Sequence, residues 1–156
     1  MNIKHINECD YNAVKDFLLS VKTIKDIDDE VLKNAIVVEE HGDVLGAVSY
    51  EKFGSKALIR YFVFKRNLTN DVVVNLFKML ESTALDDKIR DVYCVVNNGP
   101  IEELFNELGF SKDKYKYLFI DESDFDLEGN NNAFIMKKQI METGYLKKHC
   151  ICYLEQ

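Results

Sequence analysis

The 156-residue sequence is short of the residues that mark several protein classes. One proline and seven glycines are too few for a low-complexity or disordered chain, and 47% hydrophobic content with 12% aromatics is that of an ordered globular protein. Its four cysteines, Cys9, Cys94, Cys150 and Cys152, follow neither a disulfide-scaffold nor a four-ligand zinc spacing and read as reduced thiols. No apolar run approaches a bilayer span, and Met1 to His5 lacks the basic-then-apolar pattern of a secretory signal. A cytoplasmic chain without a membrane partner is expected. Basic residues are also scarce: 20 Lys and Arg against 27 Asp and Glu leave a net charge of −7, without the clustered cations that a nucleic acid needs. The balance suits cationic partners and solubility. At this length a single domain with one core is expected.

What is present is a clear alternation of periods. Ile3, His5 and Ile6 suggest a first strand, and Val14, Phe17, Leu18 and Val21 then share one helical face. Asp26 to Asp29 can cap a short helix through Val31 and Leu32. Ile36 to Val38, then His41-Gly42-Asp43, then Val44 to Tyr50 read as a hairpin, and Gly54-Ser55 turns into a strand from Ala57 to Phe64. A helix follows with Val73, Leu76, Phe77, Leu80 and Ala84 facing inward, then a nearly wholly apolar strand from Ile89 to Val96. Asn97-Asn98-Gly99-Pro100 stops that strand and starts a helix that Gly109 ends. Tyr115 to Ile120 and Ala133 to Ile140 are the last expected strands, giving an α+β chain with a mixed sheet.

The turn from Lys65 to Asn70 joins a strand to a helix, the place where an α/β chain would hold a phosphate or carboxylate. Thr69, Asn70 and Asp71 can each cap that helix. The turn has no glycine, however, and it carries an acid, so it offers an anion site and partly cancels it.

This order, with Leu104 to Phe110 closing the second late helix, resembles the GCN5-related N-acetyltransferase (GNAT) family from about Asn2 to Ile140. The closest local match is Glu107-Leu108-Gly109-Phe110, where the family has a lysine or similar residue before Leu-Gly-Phe. Asn98 falls where the family places an asparagine opening that helix. The resemblance implies a GNAT-like, mostly antiparallel mixed sheet with helices on both faces and a splayed central strand pair. It would span residues 1–140, with 141–156 packed on the same domain or at a homodimer contact.

The resemblance also implies acyl transfer from acetyl-CoA to a small-molecule or peptide amine by direct attack on the thioester. The backbone of Val63 and Phe64 would polarise the acyl carbonyl and bond the pantetheine amides. The amides of Thr69, Asn70, Asp71 and Val72 would face the pyrophosphate, helped by Lys65 and Arg66. The family's leading Arg or Gln and its small turn residues fall on Leu68, Thr69, Asp71 and Val73, and none matches. Phe105 stands where the family usually has a tyrosine as general acid, and Glu51 and Tyr61 are the candidates for base or water relay. The alternative is a catalytically inactive binding or dimerisation protein that has kept the fold.

Other motifs carry less. Asp124 to Gly129 opens like a calcium loop, but its late glutamate would fall on Ile135. His149, Cys150 and Cys152 lack a second ligand pair for zinc. No histidine has a Ser or Cys at an interpretable spacing, so nucleophilic catalysis has no support.

Overall fold

The computed structural model describes residues 1–97, 99–113 and 133–141. Its elements are β1 (Asn2–His5), α1 (Tyr11–Leu19), α2 (Asp29–Leu32), β2 (Ile36–Glu40), β3 (Asp43–Phe53) and β4 (Lys56–Phe64), then α3 (Asn70–Asp86), β5 (Asp91–Val96), α4 (Gly99–Glu107), β6 (Ser111–Lys112) and β7 (Phe134–Gln139). The strands form one sheet in the order β1-β2-β3-β4-β5-β7-β6. All neighbours are antiparallel except β4 and β5, which run parallel because α3 carries the chain between them. Both hairpins are built from residues with positive φ. His41 (+51°) and Gly42 (+84°) join Glu40 to Asp43, and Gly54 (+63°) opens the turn from β3 to β4.

Helices cover both faces of the sheet. On one, Val73, Leu76, Phe77, Leu80 and Ala84 of α3 and Phe105 of α4 pack with Ile36, Val38, Val48, Tyr50, Ala57 and Ile59. On the other, Val14, Leu18 and Leu32 meet Val37 and Ala47. Thr69 occupies the N-cap position of α3 but makes no side-chain capping bond. The loss of such a cap costs about 1 kcal/mol, whereas each fully buried Leu or Phe contributes roughly 1.5–3 kcal/mol, so tertiary packing holds this helix. Its other end is well closed: Lys88 adopts φ +62°, Lys88 N–H donates to Leu85 O at 3.0 Å, and Ile89 N–H to Ala84 O at 2.9 Å.

The expected order is observed from β1 through α4 and again in β7, with shifts at its edges. Helix α1 ends at Leu19, leaving Val21 beyond it. Strand β6 starts at Ser111, two residues after Gly109, which closes the turn behind α4. The strand expected over Tyr115–Ile120, the calcium-like loop and the His149–Cys152 cluster lie outside the described residues. Among the described residues no grouping of three His, Cys, Asp or Glu could hold a metal ion, and no helix is long and apolar enough to cross a membrane.

Candidate functional site

The parallel strands β4 and β5 pair only through Lys56 with Asp91, Ala57 with Val92 and Leu58 with Tyr93. Beyond that point β4 follows β3 as far as Phe64, and β5 follows β7 as far as Val96. The two strands therefore part, and the edge of β4 from Ile59 to Phe64 faces a cleft instead of a ladder partner. That cleft has a volume of about 250 Å³ and is lined by Ile59, Phe62, Cys94, Val95, Ile101 and Phe105. An aromatic cluster fills the angle behind it: Phe62 meets Phe77 at 5.0 Å and Phe105 at 5.7 Å, both edge to face, and Phe105 meets Phe110 at 5.0 Å. Burial pushes the Cys94 thiol well above its usual range, so the sulfur in the cleft stays protonated.

At the parting, β4 carries a bulge. Ala47 pairs with Val63 and Ser49 with Arg60, so Tyr61 and Phe62 together oppose Val48. Tyr61 has φ +55°, a conformation that glycine normally supplies. The extra residue resets the side-chain alternation. Tyr61 and Val63 pack on the α1–α2 face, while Phe62 and Phe64 join the α3–α4 core; an unbroken strand would reverse all four. Ladder alternation also fixes the backbone. Lys65 N–H donates to Leu45 O at 2.8 Å, so the Val63 peptide N–H points toward β3 and that of Phe64 toward the open edge. Of the two expected backbone donors, only Phe64 is turned to the cleft.

On the α1–α2 face the bulge sets Arg60 and Tyr61 side by side. The Arg60 guanidinium donates to Glu51 Oε1 at 2.5 Å and through its second nitrogen to the Tyr61 hydroxyl at 3.4 Å, and it lies 5.1 Å from the Tyr61 ring centre. The Asp28 backbone N–H donates to the same hydroxyl at 2.8 Å, tying β4 to the loop before α2. Asp28 is also the N-cap of α2, its carboxylate accepting from Glu30 N–H at 3.0 Å. Thr23, Lys25, Asp26, Asp28, Arg60 and Tyr61 surround a surface cavity of about 620 Å³. The sequence-derived pair Glu51 and Tyr61 is thus joined through Arg60. Arg60 itself was missed, although a lone cation inside Leu58-Ile59-Arg60-Tyr61-Phe62 was the available signal.

The β4–α3 turn lies at the far end of the open edge. Lys65, Arg66, Thr69, Asn70 and Asp71 are exposed, and Val72 is half-buried. Val72 N–H bonds Thr69 O at 3.1 Å, which leaves the amides of Asn70 and Asp71 ahead of the first helical bond. Leu68 is buried against Gly46, where an added Cβ would come within 3.2 Å of Leu68 Cδ1 and of Phe64 Cβ. An apolar plug therefore stands where the resembling family has Arg or Gln. Asn98 lies outside the described residues.

No protein-family model matches the sequence, and no curated protein does. Solved structures do match. The Mycobacterium tuberculosis protein Rv2747, solved in complex with CoA, aligns with a TM-score of 0.71 and 15% identity over 90% of this chain and 100% of its own. A GNAT-family acetyltransferase from Streptococcus pneumoniae gives 0.66 and 16% over 90% and 99%. N-acetylglutamate synthase from Neisseria gonorrhoeae, complexed with coenzyme A and N-acetyl-glutamate, gives 0.66 and 12% over 90% of this chain but 35% of its own length, so the chain spans about a third of that enzyme. The parted β4 and β5, the seven-stranded mixed sheet and these alignments together establish that the chain has the fold of the GCN5-related N-acetyltransferases.

Proposed function

We propose that the chain is an acyl-CoA-dependent N-acyltransferase that moves an acetyl group to an amine. The observation that carries this reading is the open edge of β4 beside the cleft, where the Phe64 peptide group has no ladder partner in β5. A pantetheine arm is a thin chain with two amides, and it fits an apolar cleft of about 250 Å³ flanked by free backbone groups. Lys65, Arg66 and the Asn70 and Asp71 amides would lie along the phosphates. Binding of CoA by neighbours of the same fold supports the assignment.

The reaction follows from these positions. A neutral amine, arriving from the α1–α2 face, attacks the thioester carbonyl carbon; the new C–N bond forms as electrons move to the carbonyl oxygen, which the Phe64 backbone N–H of β4 stabilises. The C–S bond then breaks, CoA leaves as a thiolate, and the nitrogen releases its surplus proton by way of Tyr61, Glu51 or water. With a thiol pKa of about 8.5 the leaving group needs no proton donor, so Phe105 in place of a tyrosine does not block the step. Cys94 stays protonated and buried, which argues against an acyl-enzyme and for direct transfer. Proximity in the cleft supplies much of the rate.

A second reading, a non-catalytic protein that has lost the cofactor, is favoured by one observation: Leu68 closes the turn against Gly46 and no glycine exposes the backbone there. Calorimetric titration with acetyl-CoA separates the two. Saturable binding with thermal stabilisation is expected, and no heat at millimolar ligand would overturn the enzyme reading.

A further inference from the structure

The α1–α2 face of the sheet carries a second apolar cluster, set apart from the residues those helices cover. Phe53 of β3, Leu58 of β4, Tyr93 and Val95 of β5 and Ile135 of β7 pack together, every one a strand residue. Stepping by two along β3 from Ala47, which packs with Val14 and Leu18, puts Phe53 on this face. The pairings of Phe53 with Lys56 and of Leu58 with Tyr93 carry the same face across to β5. An apolar sheet face is buried only against another element. Yet Leu58 is 0% exposed, Ile135 1% and Tyr93 7%, and Phe53, Lys56, Arg60 and Tyr93 each hold a further interaction partner. We infer that the chain's own C-terminal segment, residues 142–156, docks on this cluster and supplies its cover.

The path of the chain favours this segment. Ile140 N–H donates to Arg90 O at 2.8 Å and Met141 N–H to the same oxygen at 3.3 Å, while Arg90 N–H donates to Ser55 O at 2.7 Å. Ser55 lies in the turn between Phe53 and Lys56, so the chain leaves the sheet at the margin of the cluster. The residues that follow, 142–156, reach roughly 50 Å when extended, more than twice the ~20 Å length of β5. They include Tyr145, Leu146, Ile151, Tyr153 and Leu154, which suit an apolar face. Residues 114–132 match less well. They rejoin the sheet at its opposite end, where Phe134 pairs with Val96, and they carry the acid-rich run from Asp121 to Glu128, which is costly to bury on apolar surface.

Val95 belongs both to the cluster and to the lining of the cleft between β4 and β5. The docked segment would therefore back the cleft wall on the α1–α2 face. This docking stands whether or not the cleft holds CoA.

The test is urea unfolding of the full chain. Ile151→Asp together with Leu154→Asp puts two charges into the contact and should lower the midpoint by on the order of 1 M. Phe125→Asp, in the other segment, should leave the midpoint unchanged. Once the tail is undocked Tyr93 loses its cover, so Tyr93→Ala should cost much less in the doubly substituted tail background than in the unaltered chain. No shift from the tail substitutions, or an equal cost of Tyr93→Ala in both backgrounds, would overturn the inference. A larger shift from Phe125→Asp than from the tail pair would overturn it in favour of residues 114–132. A midpoint that rises with protein concentration would overturn it in favour of a second copy of the chain.

Discussion

Asp71→Asn is the substitution that most directly probes the β4–α3 turn, because it acts with opposite sign on ligand binding and on stability. Asp71 is exposed in the first turn of α3, and its carboxylate would stand near the pyrophosphate. At about 7 Å in water-like surroundings each like-charge pair costs roughly 0.6 kcal/mol. Two phosphate charges give about 1.2 kcal/mol, so removing the acid should tighten CoA binding about eightfold at low ionic strength. At 0.1 M salt the Debye length of about 10 Å cuts the effect to roughly threefold. The fold responds in the other direction. An acid at a helix amino terminus contributes about 0.3–1 kcal/mol through the helix dipole, so the variant should melt about 1–3 °C lower. Calorimetric titration with CoA at two salt concentrations, beside thermal unfolding without ligand, reads both. Unchanged or weaker binding at low salt, with the expected loss in Tm, would show that the phosphates do not lie at this turn.

Gly46→Ala would place a methyl 3.2 Å from both Leu68 Cδ1 and Phe64 Cβ; a net loss of about 1 kcal/mol in urea unfolding is expected, with weaker CoA binding as the β4–α3 turn shifts. Lys88→Gly relieves a left-handed residue at the end of α3 and should stabilise the protein by about 0.5–1 kcal/mol in the same assay; a loss would contradict the strain argument. Lys52, donating to Asp87 at 2.8 Å, and Tyr50, donating at 3.0 Å, hold the Asp87 carboxyl below its ordinary 3.8. A depressed folded pKa stabilises above the unfolded value and is lost as pH falls through it, so Asp87→Asn should flatten the decline in stability below about pH 4.

The sequence by itself determined the order of elements and their inward faces, because both rest on local periodicity. The helical spacing of Val73, Leu76, Phe77, Leu80 and Ala84 and the apolar run from Val92 to Val96 each point to one burial pattern, and the structure has it. Gly42 and Gly54 announced their hairpins for the same local reason. The bulge at Tyr61 was hidden because no glycine marks its positive φ, and period-two alternation places Phe62 and Phe64 on the wrong face. Its cause lies in long-range packing, where Phe62 gains edge contacts with Phe77 and Phe105 from two different helices. The same non-local geometry decided which peptide groups face the cleft and turned Leu68 into a core residue. It also gathered Glu51, Arg60, Tyr61 and Asp28 from three separate segments. Pattern within a segment is written in the chain; the parting of β4 from β5 depends on what packs between them, and only the folded sheet supplies that.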